Sequence, residues 1–292
     1  GKTLALSEPV EGEGVEQDPT VAVINDNAQK IRASIKTGLL SIAEDMKKVA
    51  IDQWKKKGAE QFQLPDLTAV PGVTEYQEKI SQDLTGTYNS AQSQVSTEIK
   101  GSTIKLAEDL KKLADARLKA DVSNLTDVQI ADLAKNISLT YGQNIAAAKT
   151  AEELAEILDE AILKFIDGPV STTGADIIAS KTVNDSRRDF FKENTEKVVS
   201  FTWVNGDPVS EICQWLDGKT LPADHPDVDR YWPPLHHNCK TYVVANTSET
   251  TENPEPQSGF EVPEDVASSM TLSEGVDSFG RHCCHTLKSK ES

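Results

Sequence analysis

The first 212 residues contain no cysteine and no histidine. All four Cys and all five His fall between Cys213 and His285, so the last third of the chain is chemically different from the rest. Four Cys in 292 residues do not make a disulfide scaffold, and a reducing compartment is the simpler expectation. Aromatic residues are scarce at 5%, and hydrophobic residues make up 37%. Those values are low for a compact enzyme and ordinary for long, half-exposed helices. Basic residues are also short, 30 against 47 acidic ones, which leaves a formal charge of -17. Binding to duplex DNA rests on neutralising phosphates with Lys and Arg, so direct duplex binding is not expected. The charge also disfavours an anionic membrane and favours docking to a basic protein surface. The one basic run, Lys55-Lys56-Lys57, reads as a solvated helix end. No apolar run approaches the roughly 18 residues that span a bilayer. No secretory signal is visible, and because the chain starts at Gly1 rather than Met, a processed, tagged or truncated N-terminus is expected. Gly168 and Gly174 stand alone, so there is no Walker-type or dinucleotide glycine loop.

What is present is mostly helical periodicity. Residues 1–22 are acidic and rich in Gly and Pro, and read as a flexible arm. From Val23 to Lys57, Ile24, Ala28, Ile31, Ile35, Leu39, Ile42, Met46 and Val49 step by three and four, one stripe of a helix. Prolines within residues 61–72 end it. A second helix is expected from Thr74, carrying Tyr76, Ile80, Leu84, Tyr88, Ala91, Val95 and Ile99, and running to Ala120 unless it breaks at Gly101. Two capping boxes, Thr126 with Gln129 and Thr150 with Glu153, each predict a helix start. Gly168-Pro169 ends the second of these, and a further helix is expected from Gly174 to Glu196.

The pattern then changes. VVSFTWV, Val198 to Val204, reads as a strand, Asn205-Gly206-Asp207 as a turn, Pro208 to Leu216 as a short helix, and residues 240–245 as another strand. Residues 247–292 have linker and tail composition, with a short segment near Val266. The expected fold class is mainly α with a small α+β C-terminal module. Long amphipathic helices (23–197) lead into a compact strand-turn-helix-loop-strand unit (198–246).

Within that unit, Cys213 falls on the short helix, and His236 and Cys239 on a tight loop. The H-x-x-C spacing lets both side chains converge on one point, as in half of a zinc site. Pro233 and Pro234 stiffen the approach to the loop, and Gly218 permits the sharp turn after the helix. A tetrahedral site needs a fourth ligand, with His225, His237 or the tail as candidates. Metal-free alternatives stand beside it: Cys213 and Cys239 as a close pair, reduced or disulfide-bonded, with a hydrogen-bonded His236. The tail element His282-Cys283-Cys284-His285 reads as an exposed or partner-contacting segment. Trp203, Trp215 and Trp232 read as the core of the module.

The order of these residues resembles the phage Mu F-like head-morphogenesis family. Its pattern is W-V-x-x-x-D, C-x-x-C, L-D-G, then P-P-x-H-x-x-C-x-C, after a helix carrying N-x-x-R. The corresponding residues are Trp203, Val204, Asp207, Cys213, Leu216, Asp217, Gly218, Pro233, Pro234, His236 and Cys239, with Asn184 and Arg187 on the upstream helix. The resemblance covers about residues 175–245. Two of the pattern's cysteines are replaced, by Ser210 and by Thr241. The resemblance implies a structural minor head protein of a tailed bacteriophage, in several copies at the portal vertex. It implies contacts to portal, major capsid or scaffold protein, and a role in assembly, genome packaging or ejection. The implied locations are the virion and, during assembly, the host cytoplasm. No catalytic residue and no cofactor is expected, zinc at Cys213, His236 and Cys239 excepted. The alternative is a metal-dependent, HNH-like nuclease using the same Cys/His unit. A Cys213–His236 nucleophile pair would need thiolate activation and an oxyanion site that nothing in the sequence specifies.

Overall fold

The computed structural model describes residues 18–58, 62–168, 170–206, 210–236, 238–248 and 260–270. Five long helices come first: α1 (Pro19–Lys57), α2 (Gly72–Val95), α3 (Glu108–Ala147), α4 (Ala151–Ile166) and α5 (Val170–Glu193). The C-terminal unit follows, with strand β1 (Val198–Val204), helix α6 (Glu211–Leu216), strand β2 (Thr220–Pro222), helix α7 (Asp227–Arg230), strand β3 (Tyr242–Thr247) and helix α8 (Glu264–Ala267). The mainly α class with a small α+β module is therefore what the chain adopts. No helix among the described residues is long and apolar enough to cross a membrane.

α1 starts inside the segment expected to be a free arm. Asp18 caps it, its carboxylate accepting from Thr20 N at 2.8 Å and Val21 N at 3.3 Å, and Pro19 supplies a preset φ in the first turn. The same carboxylate accepts from the Tyr242 hydroxyl at 2.5 Å, which ties the start of α1 to β3. The predicted stripe from Ile24 to Met46 is buried. α1 and α2 touch through Gly38: a Cβ there would lie 2.1 Å from the Tyr76 ring. The long second helix does break. α2 ends at Val95, and Gly101 sits at φ 64, a left-handed turn that glycine adopts without strain. The Asn194 side chain pins this connection, its carbonyl accepting from Thr103 N at 2.8 Å and its amide donating to Thr103 O at 3.1 Å.

The Thr126–Gln129 box is a false start. Both residues lie inside α3, which runs unbroken for 40 residues. Thr126 is buried and donates from Oγ1 to Val122 O at 2.9 Å, a bond internal to the helix. The apolar row Val122, Leu125, Ile130, Leu133, Ile137 passes through it in phase, so burial of that face outweighs the local capping preference. The Thr150–Glu153 box is real: Thr150 Oγ1 accepts from Glu153 N at 3.1 Å, and Glu153 Oε2 accepts from Lys149 N at 2.7 Å.

The sheet is antiparallel in the order β2-β1-β3. Ser200 pairs with Pro222 on one side and Asn246 on the other, and Trp203 pairs with Val243. β2 and α7 lie between Gly218 and Pro233, where the expected strand-turn-helix-loop-strand unit had only a loop. The hydrophobic interior has two main parts. One joins α1 to α5. The other gathers Trp203, Ile212, Leu216, Leu221, Trp232 and Val243, but also Val95 from the end of α2, Ile99 from the turn after it, and Phe190 and Phe191 from α5. The unit is thus not hung on the helices; it shares a core with them. Residues 260–270, expected in a flexible tail, also pack here. Phe260 stacks on Trp203 at 6.5 Å between ring centres and meets Trp215 edge-on at 5.1 Å.

Candidate functional site

α5 positions the unit through the two residues of its N-x-x-R element. Asn184 and Arg187 lie three apart, on one face of the helix. Asn184 Nδ2 donates to Thr241 O at 3.2 Å, and Arg187 donates to Val243 O from Nε at 3.1 Å and from a terminal nitrogen at 3.0 Å. Thr241 and Val243 are two apart, so their carbonyls point to the same side of the strand, away from β1. The pair therefore covers a sheet edge that would otherwise be open. Arg187 is fully buried, pairs through both terminal nitrogens with Glu98 at 2.8 and 2.7 Å, and lies between the rings of Phe191 and Tyr242. Trp232 Nε1 donates to Asn184 O at 3.1 Å, which returns the contact from the unit to α5.

The turn residues do related work. Trp203 is buried and its Nε1 donates to Tyr231 O at 2.8 Å. Asp217 ends α6 and accepts from Asn205 N at 2.9 Å. Gly218, at φ 71, donates to Trp203 O at 2.9 Å, which brings the chain from α6 into β2. Pro233 and Pro234, joined by a cis peptide, lead into the loop of His236. Asn238 takes φ 58, a region Asn tolerates, and Cys239 N donates to His236 O at 3.3 Å, which closes the loop.

That loop brings the predicted ligands together. Cys213 Sγ lies 3.0 Å from His236 Nε2 and 3.7 Å from Cys239 Sγ, and the three ligand atoms lie within 4.8 Å of one another. Both cysteines are free, at 1% and 0% exposure, and His236 is half-buried. The two thiols do not behave alike. Hydrogen bonding to Cys239, together with burial, pushes the Cys213 thiol up. Burial also opposes ionisation of Cys239, but hydrogen bonds from Cys213 and His236 and the His236 charge outweigh it and hold that thiol well below its usual value.

His225 does not join them. Its Nδ1 accepts from Asp227 N at 3.2 Å at the start of α7, and its ring packs on Phe260. His237, Asp207 and the His282–His285 element lie outside the described residues. Ser210 and Thr241, read as losses, turn out to border the site: both favour the ionised form of the Cys213 thiol, and Thr241 Oγ1 donates to Asn205 Oδ1 at 3.5 Å. Sequence reasoning had no signal for Glu98, Asp18, Phe260 or Ser269, which reach the unit from other elements. No family model, no curated protein and no solved structure matches the chain.

Proposed function

We propose that this chain is a structural minor head protein of a tailed bacteriophage, acting in several copies with portal, capsid or scaffold protein during head assembly and genome packaging or ejection. What supports the reading is the clamp of Asn184 and Arg187 on the outer carbonyls of β3. The residues that carry the resemblance to the Mu F-like family are spent on joining a helix to a small sheet rather than on lining a cleft. Trp203, Asp217 and Gly218 in turn hold the small unit itself together. A nuclease would have to present its metal ligands to a polyanion, whereas Cys213 and Cys239 are enclosed and the chain carries a charge of -17.

The test is a density gradient of particles from an induced host culture that encodes the chain, with mass spectrometry of each fraction. The chain should sediment with heads or procapsids at a fixed ratio to the major capsid protein. A chain that stays at the top of the gradient overturns the reading. So does divalent-metal-dependent DNA cleavage by the purified protein that is lost in His236→Ala, which would establish the nuclease instead.

A further inference from the structure

We propose that Cys213, His236 and Cys239 bind one zinc ion as an enclosed structural centre, with a water held by the Ser210 hydroxyl as fourth ligand. The inference goes beyond the assembly role and does not depend on it. Zn–S bonds of about 2.3 Å place two sulfurs of a tetrahedral site about 3.8 Å apart. The Cys213 and Cys239 sulfurs are 3.7 Å apart. The matching S···N edge is about 3.6 Å with Zn–N near 2.0–2.1 Å. His236 Nε2 is at 3.0 Å from Cys213 Sγ, so the half-buried imidazole must swing out by about half an ångström to admit the ion. Two thiolates and an imidazole select a soft, tetrahedral ion over magnesium or calcium.

The fourth corner follows from an exchange of caps. Ser210 stands at the N-cap of α6 but its hydroxyl makes no capping bond. Ser269 Oγ makes it instead, accepting from Ile212 N at 3.1 Å from the end of α8. Ser210 Oγ is left buried with no partner in bonding geometry among the described residues, a costly arrangement for a hydroxyl. A metal-bound water would satisfy it. With both sulfurs enclosed, the effect of the ion is to fasten α6 to the loop before β3. The same loop runs into the Thr241 and Val243 carbonyls that α5 holds.

The experiment uses the full chain, reduced, loaded with zinc or cobalt(II) and desalted. Elemental analysis should find about one zinc per chain, and cobalt should give the intense visible bands of a tetrahedral thiolate complex. Cys213→Ser and His236→Ala should lose the metal. Cys283→Ser with Cys284→Ser in the tail should keep it. Ser210→Ala should weaken binding about tenfold, the lower end for removing a supporting hydrogen bond at a metal site. Pale octahedral cobalt in the unaltered chain, a reduced chain that retains no metal, or retention in a Cys213→Ser/Cys239→Ser double variant overturns the proposal. Loss of metal in the tail variant overturns it too, because the site would then lie in the tail. The cobalt spectrum of the unaltered chain decides the matter even where a cysteine variant does not fold.

Discussion

Arg187 carries more of the joint between helices and sheet than any other side chain. It is fully buried and satisfies Glu98 on α2's trailing segment and Val243 on β3 at once. Removing it leaves a half-buried carboxylate without its partner and an edge carbonyl without a donor. Arg187→Met should lower stability by about 3 kcal/mol, read as a fall in the denaturation midpoint at unchanged slope. Arg187→Lys should recover little of this, since an ammonium cannot make the forked contact. A second prediction concerns alkali. Burial raises the pKa values of Tyr76, Tyr88 and Tyr242 above the ordinary phenol value, with bonds to Asp189 and Asp18 adding to it at Tyr88 and Tyr242. The fold thus prefers the neutral phenols. Their contribution is fully present below the unfolded value near 10 and is lost as pH rises above it. Phenolate absorbance from these three rings should appear only together with loss of helical circular dichroism. A smooth titration near pH 10 with the helices intact would contradict their burial.

At the scale of the element, packing overrides local preference in the helices. α3 ignores a capping box because an in-phase apolar row lies on its buried face, whereas α4 uses its own because a loop precedes it. The glycines sort by the same criterion. Gly38 admits the Tyr76 ring against α1, so Gly38→Ala should push α1 and α2 apart and cost at least 1–3 kcal/mol, roughly the penalty of overpacking. Gly86 in α2 faces open space, and Gly86→Ala should stabilise by up to about 1 kcal/mol. Thermal melts of the two variants should move in opposite directions. Equal shifts would mean that the contact at Gly38 is not made.

For the whole molecule, the shared core is the deciding feature. Phe190, Phe191 and Val95 belong to helices, and Ile99 to the turn after α2, yet they pack with Trp203 and Trp232, and Asp18 at the head of α1 bonds to β3. The helical body and the sheet unit should therefore unfold as one. Circular dichroism at 222 nm reports mainly the helices, and tryptophan emission mainly Trp203, Trp215 and Trp232. Their urea transitions should coincide. Separate midpoints would show two independent units and remove the structural role assigned to the α5 clamp.

The sequence by itself determined α1, α2, α4 and α5, β1, the α6 turn and the convergence of Cys213, His236 and Cys239. Those features are written in periodicity, turn residues and short spacings, which act over a few residues. Asn184 and Arg187 could be singled out by resemblance, but not what they hold. Only the tertiary structure decided that they cover the edge of β3, that β2 completes the sheet, and that Ser269 caps α6 in place of Ser210. Each of those is a hydrogen bond between segments tens of residues apart. A backbone group left unpaired by its own element shows no local sign of which distant side chain will satisfy it. The same holds for Phe260, whose surroundings in the chain read as linker and whose half-buried ring packs against Trp203 and Trp215.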